Sequence, residues 1–122
     1  MVSDGAAGAP ADGLASTEAL AARGATEAPL MREVLRVERA APRSPPVRAD
    51  RDLCVRALFA ASRPVRIWLA DEAGLQRGEI TTGAAGAVPP GGPACVQKGE
   101  SVHLVVENES TAAVRAVLFA AP

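Results

Sequence analysis

The chain has 122 residues and a formal net charge of −1, which is the length of one domain with some left over for a tail. Its core can only be modest, since small domains bury a smaller share of their surface. With one Trp, two Phe and no Tyr, it offers almost no stacking platforms for bases, and its charge balance gives no global field to attract nucleic acid or anionic lipid.

Residues 1–13 are rich in Ala, Gly, Pro and Asp. They hold too little apolar surface to offset their ordering entropy and are expected to be disordered. They also lack the charged and apolar regions of a signal peptide, and no apolar run in the chain is long enough for a membrane span. "STEALAAR", Ser16 to Arg23, predicts a short helix at 16–23. Ser16 or Thr17 can cap it, Glu18 suits the first turn, and Gly24 can stop it. So short a helix persists only if it docks. Residues 1–29 therefore read as a disordered or linker arm, and 30–122 as the folded domain.

"PLMREVLRVERA", Pro29 to Ala40, fits two patterns. Leu30, Val34 and Val37 make a helical stripe, with Thr26 as a cap and Pro29 in the first turn. Leu35 and Val37 alternating with Arg36 and Glu38 make a strand, which the remainder of the chain favours. "APRSPPVRAD" carries three prolines and reads as a connector.

From Asp50 onward period-two alternation dominates. Leu53, Val55, Ala57 and Phe59 share one strand face, Ser62-Arg63-Pro64 reads as a turn, and Val65, Ile67 and Leu69 face inward on the return. "DEAG", Asp71 to Gly74, is a turn. "LQRGEIT" reads as an edge strand, and Thr82 to Pro93 as a long Gly/Pro loop. "ACVQK" and "SVHLVVE" are strands around the Lys98–Glu100 turn. "NEST" is a further turn, and "AAVRAVLFA" is the last strand, with Val114, Ala116 and Leu118 inward. This spacing predicts an all-β fold: an antiparallel β-sandwich of about seven short strands with a partly disordered N-terminal arm.

The stretch Ile67-Trp68-Leu69-Ala70-Asp71-Glu72-Ala73-Gly74, followed by Gly99 through Glu107, resembles the pre-peptidase C-terminal type of β-sandwich over roughly residues 50–121. The resemblance implies a non-catalytic appendage of a secreted or envelope protein. The family's acid-rich turn is here reduced to Asp71 and Glu72, and Val102 and His103 stand where a Tyr usually follows the late glycine. No calcium site is carried over, and no cofactor is implied.

Charge is uneven. Residues 30–66 hold nine arginines against four acids, and residues 67–122 hold six acids against three bases. Because the arginines alternate with apolar residues instead of clustering, they read as solvated strand faces paired with acids, not as a phosphate patch. Asp50, Asp52, Asp71 and Glu72 read as turn formers and arginine partners. The cysteines and the lone histidine lack the closely spaced ligand pairs of a zinc site.

Cys54 and Cys95 lie 41 positions apart in similar Cys-Val contexts. An even count in an extracellular-type domain favours a disulfide; the alternative is two buried thiols acting as small hydrophobes. A thiol-dependent enzyme would need Cys54 or Cys95 beside His103, with no third orienting group implied.

The alternation leaves a second apolar strip. If Val55, Ile67, Leu104 and Leu118 face the core, then Leu58, Trp68, Val105, Val117 and Phe119 face the other way. The N-terminal segment around Leu14, Leu20 and Leu30 can fold over them, a bulge can move some inward, or a protein partner or second copy can dock there, Trp being enriched at interface hot spots. The functional expectation is a non-catalytic accessory or protein-interaction domain. A small-molecule-binding domain, for which no ligand is specified, is the alternative.

Overall fold

The structure, a computed structural model, describes residues 13–107 and 112–122. The expected disorder of residues 1–12 and the "NEST" turn at 108–111 fall outside the described residues. One helix, α1 (Thr17–Glu27), precedes seven strands: β1 (Arg32–Val37), β2 (Val47–Arg48), β3 (Leu53–Asp71), β4 (Gln76–Val88), β5 (Ala94–Val96), β6 (Ser101–Glu107) and β7 (Val114–Ala121). The fold is all-β, as the alternation implies, and every strand pairing is antiparallel. The segment that fits both helix and strand is strand β1.

The seven strands form one curled sheet built around β3. The path runs β1-β7-β3-β6-β2, with β4 and β5 on the opposite edge of β3. Residues 54–61 of β3 pair with β7 and residues 66–71 with β6, so β6 and β7 follow one another along the same edge. The other edge takes β5 opposite Leu53–Val55 and β4 opposite residues 57–70.

Two sequence expectations are corrected here. Ser62-Arg63-Pro64 does not separate two short strands. β3 runs through it as one strand of 19 residues, bent where the register with β4 slips between Ala60 and Val65. Ser62 holds the bend: its backbone N–H donates to the Ala113 carbonyl and its Oγ accepts from the Ala113 N–H, both at 2.9 Å. Nor is Thr82–Pro93 all loop, since β4 extends to Val88. "LQRGEIT" is therefore the start of a strand of 13 residues, with a three-for-one bulge opposite Trp68. Of the paired glycines, Gly83 is opposite Val65 and Gly86 is opposite Phe59, whose ring is in van der Waals reach.

The inward row is interrupted by exposed Ser62, Arg63 and Pro64 at the bend and resumes in the same phase beyond it. Val55, Ala57, Phe59 and Ala61 continue into Val65, Ile67 and Leu69 on one face, and together with Val102, Leu104, Val106, Val114, Ala116 and Leu118 they make a single core. Phe59, Ile67, Leu69, Leu104 and Leu118 are its largest fully buried side chains. Each such side chain stabilises by about 1.5–3 kcal/mol relative to exposure.

α1 is longer than the sequence suggested. Ser16 is the N-cap, its side chain accepting from the Ala19 N–H at 3.0 Å. Gly24 does not end the helix but lies within it, facing the sheet, and the chain leaves helical geometry at Ala28. Thr26 caps nothing; its hydroxyl donates to the Ala22 carbonyl at 3.2 Å.

Candidate functional site

The outer face of the sheet divides at the bend in β3. On the first half, α1 lays Leu20 and Ala21 against Leu58, Val117 and Phe119, with Met31 and Ala87 at the margin. That cover explains the burial of Ala57 through Ala61 without a gap: β3 is buried on both faces there. Of the proposed covering leucines, Leu14 and Leu20 are buried, whereas Leu30 is 91% exposed. A polar clasp holds the helix start: Thr17 donates to Glu38 at 2.7 Å, and Glu38 pairs with Arg115 at 3.2 Å.

The five residues of the second apolar strip therefore do not form one patch. Leu58, Val117 and Phe119 lie under α1. Trp68 and Val105 are directly opposite one another on β3 and β6, beyond the bend, and both are half-buried, with no helix over them among the described residues. Around them lie the Arg66–Glu107 pair, bonded at 2.7 and 3.1 Å, then His103 next along β6 and Arg43, which bridges to Val105. Burial, reinforced by the nearby Arg43 charge, pushes His103 below the usual histidine range, against a weaker opposing pull from Asp71.

Cys54 and Cys95 are register partners on β3 and β5 and form a disulfide, leaving no free cysteine. The thiol needed for a Cys–His enzyme is consumed by that bond. His103 is opposite Ala70, toward the far end of β3 from Cys54, so the fold does not bring the pair together. Among the described residues no group of three or more His, Cys, Asp or Glu is placed to hold a metal ion.

Of the acids flagged in the sequence, Asp52 and Asp71 are engaged locally, Asp50 lies 3.9 Å from Arg51, and Glu72 is exposed. Asp52 accepts from the Lys98 N–H at 2.9 Å. Asp71 accepts from the Leu75 and Ala73 N–H groups at 3.0 Å each and from Arg77 at 3.2 Å. The Leu75 bond leads the causes that hold its carboxyl below the usual range, against the opposing effect of burial. Arg77 also donates to Glu100, tying the β3–β4 turn to the β5–β6 turn.

One feature was not found by sequence reasoning. A cleft of about 390 Å³ opens between β1 and β2, the two ends of the sheet path, with Val34, Leu35, Val47 and Leu53 along it and Arg32, Arg48 and Arg51 beside them. The expectation that arginines pair with acids holds for Arg36, Arg66, Arg77 and Arg115. At this cleft the nearest pairing is Arg51 with Asp50, at 3.9 Å.

No family model, no curated protein and no solved structure matches this chain. Among the described residues no helix is long and apolar enough to cross a membrane.

Proposed function

We propose that this chain is a non-catalytic interaction domain of a secreted or cell-envelope protein, and that it meets its partner through the outer face around Trp68. The observation that carries this reading is the asymmetry of cover. The chain uses α1 to bury one half of its outer apolar strip, while among the described residues the half with its only Trp is half-buried and has no helix over it. A half-buried Trp flanked by Val105 and rimmed by Arg66, Glu107 and Arg43 has the apolar centre and polar margin of a protein contact. The disulfide supports an oxidising compartment, and the likeness of Ile67–Gly74 and Gly99–Glu107 to pre-peptidase C-terminal domains supports an accessory role.

The test is site-specific photo-crosslinking in the native host. A benzophenone amino acid at position 68 gives a discrete crosslinked species, whether to another protein or to a second copy. The same group at position 75, where Leu75 is 65% exposed on a turn, does not. A position-68 probe that gives no crosslinked species, in a protein shown to be folded, overturns the reading.

A further inference from the structure

We infer that the cleft between β1 and β2 is a separate binding site for a small amphiphilic carboxylate, one with a medium-length apolar body and a single anionic head. The cleft lies between the two edge strands, whereas Trp68 lies on the outer face of the half-sheet formed by β3 and β6.

Volume, lining and charge support this. At about 390 Å³ the cleft falls within the range of small-molecule pockets, about 300–1,000 Å³. Leu35, Val47 and Leu53 pack against the main core from its margin, so an apolar ligand body placed there extends the core outward. Three arginines stand there against Asp50 and the carboxylate of the last residue, Pro122, which still gives this cleft a positive balance in a chain of net charge −1. Arg32 and Arg48 make no ion pair or side-chain hydrogen bond among the described residues. Their planar guanidinium groups suit a carboxylate, which they can grip with two parallel hydrogen bonds.

The obvious rival occupant is an added β-strand, since both walls are sheet edges. Both edges are blunted against that. β1 slips register between Glu33 and Leu35, leaving Val34 as an extra residue, and carries Arg32, Glu33 and Arg36. β2 pairs over two residues only and follows Pro45-Pro46, which cannot donate to a ladder. Bulges, charges, prolines and shortness are the ordinary defences of an edge strand. They leave the cleft to a ligand that needs no backbone pairing.

Titration of the full-length, isotopically labelled chain tests this by amide chemical shifts, with sodium decanoate kept below its micelle concentration. Saturable shifts centred on Val34, Val47, Arg48 and Leu53 are expected. Acetate, which lacks the apolar body, and decanol, which lacks the charge, should each bind at least about tenfold more weakly. Arg48→Ala and Arg32→Ala should each weaken decanoate binding about three- to tenfold while leaving the rest of the spectrum in place. Equal binding of decanol and decanoate would overturn the proposal, as would shifts centred on Trp68 or no saturable shift at all. An acidic extended peptide that shifts these amides when decanoate does not would overturn it in favour of strand addition. Arginine substitutions without effect on decanoate affinity would also overturn it.

Discussion

Two helix rules oppose one another at Gly24. Replacing an interior helical glycine with alanine ordinarily stabilises by about 1 kcal/mol. Here a Cβ would overlap the ring of Phe119, whose ring atoms fill the space the missing side chain leaves. Overpacking of this kind costs about 1–3 kcal/mol, and a buried ring 4% exposed has little room to retreat. Gly24→Ala should therefore lower the Tm despite the gain in helix propensity. Combining it with Phe119→Leu should recover part of the loss, the non-additivity marking direct contact. A raised Tm for Gly24→Ala alone would mean that α1 does not dock on Phe119. Asp71 supplies a second test at this scale. Its carboxyl is depressed in the fold, first by the Leu75 N–H and then by the Ala73 N–H and Arg77, with burial opposing. Its contribution is thus fully present above the ordinary aspartate pKa of about 3.9 and is lost as pH falls through the lower folded value. The Tm gap between the native chain and Asp71→Asn should be widest near neutral pH and narrow steadily below about pH 4. A gap that stays constant down to strongly acid pH would show that the Asp71 bonds do not depend on its charge.

Among the elements, α1 and β5 are fastened to the sheet by different means. α1 is fastened by burial. Leu20 is 2% exposed between the helix and the sheet, and Leu20→Ala should cost about 2–5 kcal/mol. The loss should appear first as faster amide exchange in Thr17–Glu27, because a helix this short is marginal without docking. β5 spans three residues and pairs with β3 alone; the disulfide fastens it. Closing a loop across 41 positions stabilises by about 4 kcal/mol in the chain-entropy model. Paired replacement of Cys54 and Cys95 by serine should lower stability by an amount of that order, read by denaturant unfolding as a lower midpoint with an m-value that rises because the released chain unfolds to a more expanded state. A midpoint that does not move would mean that the surrounding ladder, not the bond, holds β5. These elements also show what a sequence reader can and cannot see. Strict alternation exposed the inward residues of β3, β6 and β7 correctly, because burial on one face writes its period directly into the chain. The continuity of β3 through Ser62–Pro64 was hidden, since a bend and a turn use the same residues, and only the partner strands distinguish them. Gly83 and Gly86 looked like loop because their place in β4 depends on Val65 and Phe59 across the ladder. The strip at Leu58, Val117 and Phe119 was legible; that Trp68 and Val105 stand apart from it was not, because the division comes from the bend. The convergence of Arg32, Arg48 and Arg51 was wholly invisible, as it arises only when the curl brings the two ends of the sheet path together.

For the molecule as a whole, the question is whether the two halves of the sheet are separable. The outer faces differ: one is covered by α1, and the other carries Trp68 with no helix over it among the described residues. The inner face does not differ, since β3 passes through both halves, its inward row resuming in the same phase beyond the bend, and contributes Phe59 to one end and Leu69 to the other of a single core cluster. Opening either half would strip cover from fully buried side chains of the other, and truncating Phe59 alone costs about 3–5 kcal/mol. That is a large part of the roughly 5–15 kcal/mol by which a domain is stable. Unfolding should therefore be one cooperative event for β3, β6 and β7, with α1 alone opening at lower free energy. Native-state hydrogen exchange measures this directly. The amides of Val55–Phe59, Ile67–Leu69, Val102–Val106 and Ala116–Leu118 should exchange with a common free energy and a common denaturant dependence, while those of Leu20–Arg23 exchange earlier. If β6 and the second half of β3 instead opened as a unit ahead of β7, the core would be two cores meeting at the Ser62–Pro64 bend. The surface at Trp68 would then belong to a half that can detach, not to a rigid face held ready for a partner.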